Sequence, residues 1–176
     1  NNKEMILHVY DAAKKSDVGD VLIATPDKKI VDLIQNFGGK AILTAKHHQT
    51  GTDRVFEVFK NTLKSNPNII VNLQGDMPNI NPNDIKLLIN YMKLGKCEIG
   101  TLASKLSSST EIDDLNIVKV LVKEKMKQGE FVEALDFFRV NIPKEHEIYH
   151  HVGIYAFTNK ALLRYVSLKR SKLELD

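Results

Sequence analysis

The 176-residue chain has one cysteine, five prolines and no tryptophan. The lone thiol, Cys97, has no internal disulfide partner and cannot found a cysteine metal site, which fits a reducing cytoplasm. No apolar run approaches the roughly 20 residues that a membrane-spanning helix needs, and Asn1 to Tyr10 has no extended apolar core of the signal-peptide kind. Neither sign of charge dominates: 25 Lys and Arg stand against 22 Asp and Glu, a net charge of +3. That balance is too weak to argue for a nucleic-acid partner but suits a small anionic substrate. The two common phosphate-loop patterns, Gly-x-Gly-x-x-Gly and Gly-x-x-x-x-Gly-Lys-Ser/Thr, are both missing. Internal repeats and low-complexity segments are missing too.

What is present is 43% hydrophobic and 27% charged, values that suit one folded domain with a sizeable core. Met5, Val9, Ala12 and Ala13 share a face of a helix over Met5–Lys15. Val21–Ala24 reads as a buried strand. Ile30, Val31, Leu33, Ile34 and Phe37 make Lys29–Phe37 an amphipathic helix, stopped by Gly38-Gly39. Ala41–Thr44 is a short strand, and Thr52–Leu63 a helix capped by Thr50 or Thr52. The β-branched run Ile69-Ile70-Val71 begins a strand buried on both faces, and Pro82 opens a helix over Pro82–Lys93. This alternation predicts an α/β fold with a doubly wound, mostly parallel sheet. After Gly95 the texture changes. Ile99–Leu106, Ile117–Val122, Val132–Phe138 and Val152–Phe157 read as strands that extend the sheet and add an antiparallel hairpin. Ser107–Thr110 and Lys123–Glu130 read as solvated loops, and Asn159–Val166 as a last helix.

Three clusters carry chemistry. The strand at Ile69 runs into Gln74-Gly75-Asp76, and ligands in open α/β sheets bind beyond the carboxyl ends of strands. Asp76 there suits Mg²⁺, which takes oxygen ligands and leans on substrate phosphates; equally, Gly-Asp is ordinary turn chemistry. The second cluster is His47-His48-Gln49-Thr50-Gly51-Thr52-Asp53-Arg54, where a helix start can cradle a nucleotide or simply be capped. The two histidines lack a third ligand for zinc. The third is Arg139, Asn141 and Pro143, followed by His150-His151-Val152-Gly153-Ile154-Tyr155. An arginine at a strand end suits bidentate carboxylate binding, and His151 and Tyr155 share a strand face by their even offset. For Tyr155, pattern alone favours a packed ring with a satisfied hydroxyl. Lys169, Arg170 and Lys172 read as a solvated basic run.

Five segments occur in order: Met5-Ile6-Leu7-His8-Val9, His48-Gln49-Thr50-Gly51-Thr52-Asp53-Arg54, Val71-Asn72-Leu73-Gln74-Gly75-Asp76, Val118-Lys119-Val120 and His151-Val152-Gly153-Ile154-Tyr155. Together they closely resemble the 3-deoxy-manno-octulosonate (Kdo) cytidylyltransferase family, the CMP-Kdo synthetases. Each piece alone is weak; the ordered combination, over nearly the whole chain, is specific. The resemblance implies one nucleotidyltransferase domain over 1–176, like the nucleotide-diphospho-sugar transferases, with a β-rich dimerisation extension. It implies a cytoplasmic, homodimeric, Mg²⁺-dependent enzyme coupling CTP and Kdo for lipopolysaccharide synthesis, with no nucleic-acid or membrane partner. Carried over by residue, Asp76 would bind Mg²⁺ and act in catalysis with Gln74, which lies between nucleotide and sugar. His48, Gln49, Thr50, Gly51 and Thr52 would hold the cytidine, and Arg139, His151, Gly153 and Tyr155 would line the Kdo side.

The departures from the family pattern are specific. Asn2 and Glu4 stand in place of a glycine and a proline, Met77 in place of a glutamate, and Phe138 in place of a serine. Asp27 lies one place late, and the stretch from Pro143 to His151 is short. The family's first strand with its nucleotide loop, the C-terminal part and a second metal-binding carboxylate are not among these residues, so the segment alone is expected not to turn over. The rival expectations are a cytidylyltransferase for another acidic sugar, such as sialic acid, and a catalytically inactive nucleotide- or sugar-binding module.

Overall fold

The computed structural model describes residues 3–62, 67–127, 130–140 and 147–170. Its elements, in chain order, are α1 (Met5–Ser16), β1 (Leu22–Thr25), α2 (Lys28–Asn36), β2 (Lys40–Leu43), α3 (Gly51–Thr62), β3 (Ile69–Leu73), α4 (Pro82–Lys93), β4 (Ile99–Ser104), α5 (Ser109–Asp113), β5 (Lys119–Val122), β6 (Ala134–Phe138), β7 (Ile148–Thr158) and α6 (Asn159–Ser167). They fall into two compact units, one made of Asn1–Gly100 with Tyr155–Asp176 and the other of Thr101–Ile154. The first boundary lies close to the change of texture after Gly95.

In the first unit the alternation of helix and strand holds, and local chemistry explains several of the helix starts and stops. Asp27 caps α2 by accepting from the Lys29 amide at 2.8 Å. Asn81 caps α4 from the Asn83 amide at 2.9 Å, with Pro82 in the first turn, and Thr158 caps α6 from the Ala161 amide at 3.2 Å. Helix α2 stops at Gly38, whose φ of +80° few other residues would adopt. Gly39, next to it, is needed for space. A Cβ there would lie 2.7 Å from Ile34 Cγ2 and 2.9 Å from Tyr10 Cζ.

Strands β1 and β2 pair in parallel, Leu22 opposite Lys40 through Thr25 opposite Leu43. Leu7, Tyr10 and Ile34 form the core beside them, with Ile23 and Ala41 packed against it. A second cluster of Ile70, Phe157 and Leu162 joins β3, the end of β7 and α6, and Val55, Phe56, Phe59, Tyr155 and Val166 pack onto it. Helix α4 buries Ile85, Leu88, Ile89 and Met92, the predicted face, and lies against α1.

In the second unit β5 is central, with all four residues buried. It runs antiparallel to β6, Lys119 opposite Phe138, and antiparallel to β7, Lys119 opposite His150. Val120, Val122 and Tyr149 form its core with Ala103, Met126 and Val132. The parallel and antiparallel pairs together make the expected mixed α/β fold.

The element bounds differ from the sequence reading at several places. Strand β6 begins at Ala134 rather than Val132, where its register with β5 shifts between Leu121 and Val122. Strand β7 begins earlier, at Ile148. The polar stretch Ser107–Thr110 leads into a short helix, α5, because the Glu111 carboxylate reaches back to the Ser107 amide at 2.7 Å. Ser108 followed by Glu111 is the capping spacing that marks such a start. The expected helix end at Leu63 and the residues Asn141, Pro143 and Lys172 lie outside the described residues.

Candidate active site

The nucleotide-side candidates belong to the first unit, and three of them, Gly51, Thr52 and Gln74, come together at the end of β3. Asn72 is buried in that strand at 4% exposure, so both halves of its amide need partners. Its Nδ2 donates to Thr52 Oγ1 at 3.1 Å, and its Oδ1 accepts from Gln74 Nε2 at 2.8 Å. A buried amide thus relays from the first turn of α3 to the strand end. Gly51 is held to the same point. A Cβ on it would sit 2.9 Å from both Nε2 and Oε1 of Gln74, so the helix start approaches the glutamine only because this residue has no side chain.

The loop before α3 closes on itself by a capping box, reciprocal bonds between the helix start and its third residue. The Asp53 amide donates to Thr50 Oγ1 at 3.2 Å. Asp53 Oδ2 in turn accepts from the Thr50 hydroxyl at 2.8 Å and from its amide at 3.2 Å. Arg170 also pairs with Asp53. Burial acts to raise the Asp53 pKa, but the Thr50 bonds and the Arg170 charge outweigh it and hold the carboxyl below its ordinary value. His48 Nε2 pairs with Glu57, which also accepts from the Ala45 amide at 3.1 Å. The His48 bond, followed by the Ala45 bond, holds Glu57 below its ordinary range. Gln49 is exposed between these anchors. The structure shows the capped-helix reading: the Thr50–Asp53 bonds close the start of a twelve-residue helix.

Asp76 lies in the turn after β3 and is exposed, while Gly75 lies beside Ile6. Among the described residues no group of three or more His, Cys, Asp or Glu side chains forms a metal cluster. A single exposed carboxylate at a strand end fits Mg²⁺, which keeps several waters and takes its remaining oxygens from substrate phosphates. It does not fit zinc, which wants several nitrogen or sulfur ligands.

The sugar-side candidates Arg139, His151 and Gly153 belong to the second unit. Arg139 is exposed just past β6, and its Nη1 donates to the carbonyls of Leu115 at 2.9 Å and Asn116 at 3.3 Å. Its own carbonyl accepts from Lys119 Nζ at 3.0 Å. Lys119 is fully buried, and Nζ also donates to the carbonyls of Asp114 at 2.7 Å and Ile117 at 3.0 Å. His151 stands edge-on to Phe137, ring centroids 5.0 Å apart, and its Nε2 is 2.9 Å from Thr101 Oγ1. Burial, followed by the neighbouring His150, pushes its pKa down to about 4, so the ring is neutral at neutral pH. A Cβ on Gly153 would meet open space. Tyr155 belongs to the first unit, where its ring packs on the Ile70, Phe157 and Leu162 cluster as the sequence pattern favours. Burial, then Tyr165, raises its pKa.

Four supporting residues escaped the sequence reading: Asn72, Glu57, Lys119 and Thr101. Two of them left a signal. Asn72 is an amide, and Lys119 a cation, inside otherwise apolar strands, and a polar group in such a run must find buried partners. Glu57 and Thr101 sit in unremarkable contexts and left none. Among the described residues no helix is long and apolar enough to cross a membrane.

Comparison with known proteins places these residues in context. The family model described as Cytidylyltransferase matches residues 1–175. A 3-deoxy-manno-octulosonate cytidylyltransferase of Thermodesulfovibrio yellowstonii is 38% identical over 190 residues, covering 98% of this chain and 72% of that protein. The protein of the same name from Bartonella henselae is 35% identical over 174 residues, covering 98% and 71%. Among solved structures, CMP:2-keto-3-deoxy-manno-octonic acid synthetase complexed with CTP aligns with a TM-score of 0.83 at 36% identity, covering 98% of this chain and 70% of that one.

Proposed function

Since the chain belongs to the 3-deoxy-manno-octulosonate cytidylyltransferase family, we propose that the intact protein transfers CMP from CTP to the anomeric hydroxyl of Kdo, releasing pyrophosphate. The observation that carries this reading is the likeness, along nearly the whole chain, to a synthetase solved with CTP. The product, CMP-Kdo, would serve lipopolysaccharide synthesis in the cytoplasm, and the enzyme would work as a homodimer with Mg²⁺.

In the reaction the anomeric oxygen of Kdo attacks the α-phosphorus of CTP and the bond to the β-phosphate oxygen breaks. A phosphoryl-type transfer asks a protein mainly for positioning and charge neutralisation. The helix start at Gly51 and Thr52, the loop from His48 to Thr50 and the Gln74 amide hold the nucleotide. Asn72 keeps Thr52 and Gln74 in fixed relation through its two hydrogen bonds. Arg139 offers a guanidinium to the sugar carboxylate, with His151, Gly153 and Tyr155 lining the rest of the sugar site. Asp76 holds Mg²⁺, which when bound supplies charge neutralisation at the phosphate oxygens.

Pyrophosphate release by the intact protein with CTP, Mg²⁺ and Kdo tests the reading, with sialic acid as the contrasting acceptor. Release is expected with Kdo, and Asp76→Ala is expected to lower kcat/KM by about a hundredfold or more, the scale of losing one charge-stabilising group. Release with sialic acid alone would move the activity to another acidic sugar. Silence with both would leave a binding module.

A further inference from the structure

Helix α3 sends two charges of opposite sign to a single residue of the loop before it. Arg54 and Glu57 are three residues apart, so they share a face of the helix. Arg54 Nη1 donates to the Ala45 carbonyl at 2.9 Å and to the Thr44 hydroxyl. Glu57 accepts from the Ala45 amide, at 3.1 Å to Oε2 and 3.4 Å to Oε1. Both backbone groups of Ala45 are therefore taken, its carbonyl by a cation and its amide by an anion, and such charge-assisted bonds are the stronger kind. Opposite charges at this helical spacing commonly pair with each other. Here, among the described residues, Arg54 pairs with no carboxylate and Glu57 pairs with His48 Nε2. An ionised carboxylate has no proton to give, so the proton of that bond is on Nε2.

These contacts fall on the chain between β2 and α3. Thr44, at its start, is buried, and its amide donates to the Thr25 carbonyl of β1 at 2.9 Å. Thr50, at its end, is closed onto Asp53. Ala45 and His48 are held from α3 in between, and the residues left over, Lys46, His47 and Gln49, are exposed.

We propose that Arg54 and Glu57 are positioning residues for the nucleotide: as a bracket on Ala45 and, through Glu57, on the His48 ring, they hold the 44–50 loop in the shape that meets CTP. The inference rests on the reading of this loop as the one that binds cytidine, whereas the bracket itself rests on the contacts of Ala45 and His48. A loop ordered beforehand has less freedom to lose when its ligand arrives, and that difference shows in affinity rather than in the chemical step. The orientation of the pair is fixed too. A carbonyl needs a donor and an amide needs an acceptor, so the arginine and the glutamate cannot exchange places and serve the same groups.

The test is titration of the intact protein with CTP, in Mg²⁺ and without Kdo, followed by steady-state kinetics in both substrates. Glu57→Ala and Arg54→Met should each weaken CTP binding about tenfold, the scale of one charge-assisted hydrogen bond. The KM for CTP should rise with it, while kcat and the KM for Kdo stay near the parent's. Glu57→Gln, whose amide oxygen can accept in place of Oε2, and Arg54→Lys, which keeps a cationic donor, should recover most of the loss. The exchanged pair, Arg54→Glu with Glu57→Arg, should not. Parent-like CTP binding in Glu57→Ala, or recovery in the exchanged pair, would overturn the proposal. So would losses shared equally by kcat and both KM values, which is what general damage to the fold produces. Amide hydrogen exchange in the ligand-free parent decides the bracket even if a variant fails to fold. The Ala45 amide, outside both β2 and α3, should be protected, and exchange as fast as in an unfolded chain would overturn the proposal. A parent protein that keeps this amide protected but does not bind CTP refutes the nucleotide reading. One that binds CTP with this amide unprotected refutes the bracket alone.

Discussion

The two units hold the polar groups around their candidate residues with a different balance of partners. In the first, side chains are tied mainly to side chains: Thr50 to Asp53, Thr52 to Asn72, Asn72 to Gln74 and His48 to Glu57. In the second, the side chains around the candidate residues lean mainly on backbone carbonyls, Lys119 on three, Arg139 on two and Thr101 on two, beside the side-chain contacts of Thr101 with His151 and Lys123 with Glu133. A relay of side chains passes a disturbance along, because each member is partner to the next. A clamp on carbonyls keeps a disturbance local but makes it costly, since removing the donor strands several acceptors at once. The first arrangement suits a loop that must close around a ligand. The second suits a scaffold that holds one arginine and one histidine in place.

The largest expected effect follows from the clamp. Lys119 ties Asp114 and Ile117, on the segment before β5, to Arg139, past the end of β6. Lys119→Met keeps much of the volume but leaves three carbonyls without this donor. With each stranded acceptor costing at least about 1 kcal/mol, the expected loss of stability is about 3 kcal/mol or more. Chemical denaturation of the intact protein measures it. Arg139 would then hold the segment only through Leu115 and Asn116, so surviving activity should show a raised KM for Kdo rather than for CTP. An unchanged midpoint would mean that the three carbonyls find other partners and that there is no clamp.

A smaller effect, propagated further, is expected from the relay. Gly51→Ala would place a Cβ 2.9 Å from the Gln74 amide. That is the far end of a flexible side chain, so the amide can swing away, but doing so gives up its bond to Asn72. The loss of stability should be only about 1 kcal/mol, one net hydrogen bond, while the KM for CTP rises severalfold. Thr52→Val cuts the other end of the relay, at Asn72 Nδ2. If the relay acts as a unit, the double variant should bind CTP about as well as the worse single variant. Additive effects on the KM for CTP would instead show two independent contacts.

How much was legible in the sequence divides along the same line. Helices with strong 3.6-residue periodicity and a cap, such as α4 with Asn81 and Pro82, are found to the residue at both ends. The positions of His48 to Thr52, Gln74 and Asp76 at a loop, a helix start and a strand end were readable, because α/β alternation fixes where strand ends lie. The partners of those residues were not. Asn72 and Thr52 are 20 residues apart and Thr101 and His151 are 50 apart, and local periodicity says nothing about contacts at that range. The strands of the second unit were misjudged at their starts because β6 and β7 are bounded by register with β5, a tertiary constraint that outweighs local propensity. The short helix α5 is a miss that a local rule, the spacing of Ser108 and Glu111, would have prevented.

The last expected effect, seen only on acidification, is a dependence on pH that sets the units apart again. His151 in the folded protein titrates at about 4, against an ordinary value of 6.5. Between those values the unfolded chain carries a proton on this ring that the folded chain does not. The state that binds more protons gains as pH falls, so the unfolded state is favoured. The contribution of His151 to stability is therefore fully present above about pH 6.5 and is lost as pH falls toward about 4. The carboxylates of the first unit follow the same sign in a lower window, since Asp53 and Glu57 are held below their ordinary values of 3.8 and 4.5. Denaturation midpoints of the parent protein and His151→Gln, taken from about pH 7 down to about pH 4.5, separate the two windows. The parent should lose more stability than the variant over that range, because the variant has no ring to protonate and the carboxylates are common to both. Parallel curves would mean that the His151 ring takes up its proton as easily in the folded protein as in the unfolded chain, and is not held neutral by burial.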